Sequence, residues 1–544
     1  MTDKTTNHYP FWRVNKEGGC IINTSRLVKF LDEQGFGNFQ TVDGRVQNFT
    51  LFFNDNGVLQ LHSPNSVKRW LIDYVEKDEK TVLETKDDIQ DKLTKLNPTT
   101  MSNYLQSLSI WSEKDFNDSK RLNIFRDDSE NCYIPFKNGV VHITKTEIKL
   151  VPRESLIDKG VIWESSILPH YVGILDKYMM TESNVFRDYI RYGLKKDIEP
   201  LPKHNDINLG TDNDRYKETL EAFETAFGYL IHSYNPPQEQ KVVVFIDVDS
   251  SPDRTEGGNG KSLSMEQIKH YRNYAYINGK QFKKSLSDSS RFNFSNVKID
   301  TGFIFIDDVN PDFDLRTIFS DITGDLTVEG KGINKIIIPK DRKPKMGITT
   351  NYVMTGSGNS FERRQHIVEF GNFWNVANKK KICPSKILGK LVATDFDESD
   401  WNKFFNYGFF CVQKYLQRGL VQQSLNSYMR KNLITVIEGL DGNGEILDWM
   451  EDWVSTTRIE NDYHSNGISV EEFYRSFTKD NPSLMMTWDV KRLLDRFFEY
   501  VKQDPDLDWN PKLKANGDTR SKRRWRVGSR GEQKEFIQIV SKND

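Results

Sequence analysis

Residues 242–262 read VVVFIDVDSSPDRTEGGNGKS, and the fold follows from how this stretch is parsed. Val242–Ile246 is a continuous apolar run, the pattern of a parallel strand buried on both faces. A polar segment follows, and then Gly257, Gly258, Asn259, Gly260, Lys261 and Ser262. Glycines let backbone N–H groups converge on phosphate oxygens, and a helix opening at Ser262 adds its dipole. Lys261 would reach the β- and γ-phosphates of a triphosphate, and Ser262 would coordinate Mg2+. The strict pattern GxxxxGK[ST] has Gly where this chain has Thr255, and the segment Asp247–Glu256 is long for such a loop. On its own, a Gly-rich turn with an incidental Lys-Ser reads the same way.

Three further signals lie downstream. Phe303–Ile306 is a second apolar run, closed by Asp307 and Asp308, 46 residues beyond Lys261. One carboxylate can hold a metal shell while its neighbour polarises an attacking water. Asp307 is assigned to the metal and Asp308 to the water, and the reverse order is equally open. Lys345–Asn351 (KMGITTN) ends in an amide, and Asn351 has both donor and acceptor for a γ-phosphate or lytic water. Arg363 and Arg364 follow 12 and 13 residues later. An arginine supplied by a neighbouring subunit can neutralise transition-state charge. A surface ion pair with Glu362 or Glu369 is the plain alternative. Strands that end in polar residues and alternate with helices imply an α/β parallel sheet, with the ligand at the strands' carboxyl ends.

Composition bounds the rest. The 544 residues allow three or four domains at about 150 residues each. The balance of 76 Lys+Arg against 78 Asp+Glu gives a net charge of −2, which excludes a uniformly basic coat but not a local basic site. No apolar run approaches the roughly 18–20 residues of a bilayer span, and the first residues lack the apolar stretch of a secretory signal. Cys20, Cys132, Cys383 and Cys411 are far apart, and the nine histidines form no HExxH or HxH. The expectation is a protein of the reducing cytoplasm with no structural metal.

The flanks predict smaller units. Residues 1–130 read as an α+β domain, with helices at Ser25–Phe39, Ser66–Lys77 and Asp87–Leu108 and a hairpin at Asn56-Gly57. Residues 131–235 form a collar with a second hairpin at Asn138-Gly139 and a helix at Tyr216–Tyr234. The ATPase core spans 236–378. A helical region, with Trp401, Phe404 and Phe405 apolar, spans 379–460. Residues 461–544 hold a capping box at Ser469–Glu472 and an apolar helix face on Val490, Leu493, Leu494, Phe497, Phe498 and Val501. A turn at Asn516-Gly517 follows. Lys512 to Arg530 carries eight Lys/Arg, including Arg523, Arg524 and Arg526, against Asp518 alone. Two helices and a basic hairpin imply a winged helix gripping DNA backbone, although charge runs at termini are commonly just solvated.

In their order, GGNGKS, FIFIDD, GITTN and FERRQHIVEF resemble the Walker A, Walker B, motif C and arginine-finger segments of superfamily 3 helicases of the AAA+ class. These are found in small DNA viruses, phages, plasmids and poxvirus-type primase-helicases. RFNFSNVKIDTGFIFIDDV (Arg291–Val309) is similar to phage members, and PFKNGVVHI resembles the segment before the helicase in the poxvirus-type branch. The resemblance covers about residues 240–375. It implies an AAA+ P-loop core in a hexameric ring that hydrolyses ATP with Mg2+ between subunits and moves 3′ to 5′ on single-stranded or forked DNA. It also implies a pore hairpin at Val328–Pro344, with Lys331 and Lys335 on phosphates. A separate primase or polymerase would be a partner, because no primase constellation is visible. Asp247-x-Asp249 is the only tempting carboxylate pair, and it sits beside the loop. The expected role is replication of a phage or other mobile element. An initiator that assembles on DNA without unwinding it would share every nucleotide motif.

Overall fold

The structure, a computed structural model, describes residues 10–40, 46–53, 57–79, 81, 83–113, 119–176, 183–195, 214–247, 257–282, 292–311, 313–330, 333–354, 359–439, 442–460, 468–503, 507–509, 525–527, 534–537 and 539–541. The first part pairs helices with a six-stranded sheet in the order 162–163, 58–62, 46–53, 36–40, 110–112, 119–121. Two expected helices are shorter. The helix that opens at Thr24 ends at Glu33, and Phe36–Gln40 pairs as a strand with Val46–Phe53 and Ile110–Ser112. Leu83–Lys95 and Pro98–Leu105 are separate helices. Pro98 has no N–H to continue the first, and the Asn97 side chain caps the second by accepting from Thr100 N at 2.8 Å. Ile162–Trp163 adds in parallel to Val58–Leu59, so this sheet draws on chain well beyond residue 130. The hairpin at Gly139 joins Cys132–Phe136 to Gly139–Ile143.

The central layer begins with α1 (Val185–Gly193) and α2 (Asp214–Ile231). Then come β1 (Val242–Asp247), α3 (Lys261–Glu266), β2 (Tyr274–Asn278) and β3 (Phe303–Asp307). A hairpin of β4 (Leu326–Gly330) and β5 (Ile333–Ile338) precedes β6 (Lys345–Thr350), β7 (Gln365–Phe370) and α4 (Phe373–Lys379). The strands β2-β3-β6-β1-β7 form one parallel sheet in that order. Their alternation divides the core. Val242, Val244 and Ile246 pack with Ile304, Ile306 and Ile348 on one face. Val243 and Phe245 pack with Phe303, Phe305 and Phe370 on the other. Each such side chain contributes about 1.5–3 kcal/mol by leaving water, which explains the uninterrupted apolar run. The second face is covered by α2 and by α5 (Glu398–Arg418), which pack on each other. Asp397 and Asp400 cap α5 reciprocally, and Phe404 and Phe405 are buried.

The last part consists of α6 (Asn426–Glu438), α7 (Glu445–Glu460), β8 (Ile468–Ser469), α8 (Val470–Asp480), α9 (Val490–Gln503), β9 (Leu507–Trp509), β10 (Trp525–Val527), β11 (Lys534–Ile537) and β12 (Ile539–Ser541). The Ser469 hydroxyl accepts from Glu472 N at 3.2 Å at the start of α8. Strands β8-β11-β10 form a sheet in that order, and β9 pairs with β12. Its core joins Leu493, Leu494, Phe497 and Val501 of α9 to Phe473, Phe477 and Ile437.

Candidate nucleotide site

The parallel strands bring the predicted residues together at their carboxyl ends. Gly260 sits just before α3 with φ 91°, and Gly258 has φ 107°. At Gly260 a Cβ would stand 2.5 Å from the Tyr189 hydroxyl. That ring stacks on Trp374 at 4.8 Å, and the Trp374 indole N–H donates to the Tyr189 carbonyl at 3.1 Å. Asn375 Nδ2 donates to the Gly257 carbonyl at 3.1 Å. The loop therefore rests on α1 and α4, and glycine is needed at 260 for both backbone and space.

Lys261 is buried, with Nζ 2.5 Å from Asp247 Oδ2. It also donates to Asn351 Oδ1 at 2.8 Å, across 90 residues of sequence. Burial lowers the Lys261 pKa, and Asp247 opposes that shift. Beside it, the Ser262 hydroxyl donates to Asp307 Oδ1 at 2.6 Å. The Thr349 hydroxyl donates to the same oxygen at 2.6 Å and accepts from Asp308 N at 3.0 Å. Tyr276 OH donates to Asp307 Oδ2 at 3.3 Å. Asp308 takes a left-handed φ of 54° and pairs with Lys280 at 2.7 Å. Asp and Asn tolerate this region better than other side chains.

Four residues of this cluster escaped the sequence reading. Asp247 was read only as half of the Asp247-x-Asp249 pair beside the loop, not as the partner of Lys261, and Thr349 lay unremarked inside GITTN. Tyr276 and Lys280 carry no local signal. Residues 248–256, including Thr255, lie outside the described residues. Among the described residues, no three or more His, Cys, Asp or Glu converge as a metal cluster. Ser262 and Asp307 are the oxygen pair suited to a hard cation.

The arginines stand apart. Val242 N donates to the Arg364 carbonyl at 2.8 Å, so Arg363 and Arg364 flank the amino end of the β1–β7 pair. Six strand residues, about 20 Å, separate them from the loop. Arg363 is exposed, and the Arg364 guanidinium lies 4.6 Å over the Phe319 ring. On the hairpin, Lys335 is 3.7 Å from Glu329, while Lys331 lies outside the described residues. Arg523 and Arg524 also lie outside them; Arg526 is in β10, but its side chain is not among those described. Exposed Lys491, Arg492 and Lys502 on α9 went unread because that helix showed its apolar face first; Arg492 stacks on Trp488 at 4.6 Å.

No family model matches the chain, and no curated protein matches it. Among solved structures it is similar to two of the NrS-1 C-terminal region in its A form apo state. They are 11% and 12% identical, each covering 94% of this chain and 98% of the other, with a TM-score of 0.39. At that score the likeness says nothing about activity.

Proposed function

We propose that the chain is an ATP-dependent DNA helicase of the superfamily 3, AAA+ kind, acting in replication of a phage or other mobile element. The observation that carries this is that Lys261 and Ser262, at the start of α3, are hydrogen-bonded to Asn351 just past β6 and to Asp307 at the end of β3, at one end of a parallel sheet. The order β2-β3-β6-β1-β7 supports a P-loop core of this class, since it sets the strand leading to the loop beside the one ending in Thr350. Lys261 would hold the β- and γ-phosphates. Ser262 and Asp307 would hold Mg2+, which supplies neutralisation of phosphate charge when bound. Asp308 would orient and take a proton from the attacking water, and Asn351 would contact the γ-phosphate.

The position of Arg363 and Arg364, remote from their own chain's loop, favours a role at a neighbouring subunit's site and so a ring, a hexamer on the family pattern. The β4–β5 hairpin with Lys335 supports a strand-gripping element. The helices α7, α8 and α9 with the sheet β8-β11-β10 support a winged helix, for which Arg523, Arg524 and Arg526 would supply the basic contacts to DNA. Single-stranded or forked DNA would be the track, a separate primase or polymerase the partner, and the host cytoplasm the setting. Among the described residues no helix is long and apolar enough to cross a membrane.

The deciding experiment measures DNA-stimulated ATP hydrolysis and forked-duplex opening, with Lys261→Ala as control. Wild type should do both and the variant neither. Hydrolysis without opening a fork of either polarity would replace the helicase reading with an assembling initiator.

A further inference from the structure

Asp247 belongs to none of the elements of the nucleotide signature, yet its carboxylate makes the shortest contact of the P-loop lysine, at 2.5 Å with both side chains 7% exposed. The Lys261 ammonium has three hydrogens. One is directed at Asp247 and one at Asn351. Only one remains for a phosphate, and the positive charge meant to attract that phosphate is already neutralised. The carboxylate is placed by the strand itself. Asp247 is the last residue of β1, and its backbone is in register with Phe370 of β7. The strand fixes its backbone, so the carboxylate gives up Lys261 by rotating about its own side-chain bonds. Asp307 and Asp308 add two further negative charges nearby, with Asp308 answered by Lys280 and Asp307 held by three hydroxyls.

We infer that Asp247 is a specificity-determining residue that stands in for the γ-phosphoryl group on Lys261, so that a nucleoside triphosphate must displace it while a diphosphate need not. This inference rests on the P-loop reading above. A triphosphate brings its terminal phosphoryl to Lys261 and takes the contact from the carboxylate. A diphosphate lacks that group; its β-phosphate takes the one remaining hydrogen of Lys261, and Lys261 keeps Asp247. Loss of the γ-phosphoryl after hydrolysis restores the pair. The carboxylate thereby opposes occupancy by lone anions and weakens triphosphate binding in return for a site that resets.

The test is calorimetric titration of the full chain with Mg2+ and either the non-hydrolysable triphosphate AMP-PNP or ADP. Asp247→Asn should tighten AMP-PNP about tenfold or more and ADP by less than threefold. Because the substitution leaves a buried lysine without its counter-ion, Asp247→Ser, which leaves room for water, is titrated alongside and should behave the same way. Wild type that binds AMP-PNP, with folded variants that bind it no more tightly, overturns the role of Asp247 and leaves the P-loop reading intact. Equal tightening of ADP overturns the discrimination. Failure of both variants to fold by circular dichroism also overturns it, since the carboxylate would then serve to neutralise Lys261 in the core. Absence of AMP-PNP binding in wild type and variants alike is the failure of the P-loop reading itself.

Discussion

Thr349 is the residue on which both acidic groups of the site depend. Its hydroxyl donates to Asp307 and receives the Asp308 N–H, so one side chain fixes the first carboxylate and the left-handed backbone of the second. Thr349→Val keeps the shape and the β-branch but leaves the Asp308 N–H without that partner. A lost hydrogen bond of this kind costs about 1 kcal/mol of stability. The larger effect falls on hydrolysis, where kcat should drop roughly 100-fold, the lower end of what a positioned acid or base contributes. Steady-state ATPase kinetics beside a thermal melt separate the two, and an unchanged kcat would remove Thr349 from the site. Gly260→Ala tests the loop itself. The left-handed backbone costs an L-residue about 1–2 kcal/mol, and the new methyl meets the Tyr189 hydroxyl. AMP-PNP affinity should fall below detection by calorimetry while circular dichroism still reports a folded chain. The acidic pair was legible because it closes a run of apolar residues, the loop because its glycines run into Lys-Ser, and Asn351 because it ends the GITTN element. Asp247 and Lys280 were not, since an ion pair between distant positions leaves no mark on either neighbourhood.

At the scale of elements, the loop helix α3 packs on the sheet with Met265 over Gly347 of β6. A Cβ at Gly347 would lie 2.5 Å from Met265 Sδ and 3.0 Å from Phe303 Cζ. Gly347→Ala should therefore lift α3, costing about 1–3 kcal/mol as overpacking does and weakening nucleotide binding with it. Adding Met265→Ala should recover binding more than stability, because it relieves the clash but leaves a gap; a double variant that binds no better than Gly347→Ala would show that α3 is held elsewhere. The elements whose signals are local were readable in advance. The apolar run of β1, the hairpin at Gly139 and the face of α9 all stand where periodicity puts them. The misread elements have non-local causes. Phe36–Gln40 continues a helical pattern in sequence but is claimed by two neighbouring strands. Ile162–Trp163 joins a sheet whose next strand lies about a hundred residues earlier, a pairing that no window reveals.

Over the whole molecule, the near-zero net charge conceals how positive charge is used. Part of the basic content around the hairpin never reaches solvent. Lys343 donates to the carbonyls of Asp321, Ile322 and Gly324, and burial pushes its pKa down to about 8. Lys345 donates to the Tyr229 carbonyl at 2.8 Å and lies 3.6 Å over the Tyr229 ring. Both are buried in the core, so the DNA contact proposed for the hairpin would fall to Lys335 and its neighbours rather than to the full basic run. Buried histidines set the acid limit in the same way. His232 and His366 are 1% and 0% exposed, and burial lowers their pKa values to about 4 and about 3. The unfolded chain takes up these protons near pH 6.5, whereas the folded chain resists them until pH 4 or below. A depressed folded value means stability is complete above pH 6.5 and is lost as pH falls. By pH 5 each histidine should cost about 2 kcal/mol, and the pair about 4. Spread over the unfolding entropy of 544 residues, this should lower the melting temperature by roughly 4 °C between pH 7 and pH 5. His366→Leu should remove the share of that slope due to its own ring, with little change at pH 7. A melting temperature flat from pH 7 to pH 5 would mean that both rings are reached by solvent or already paired as imidazolium, and that the layer between α2 and the sheet is looser than its packing implies.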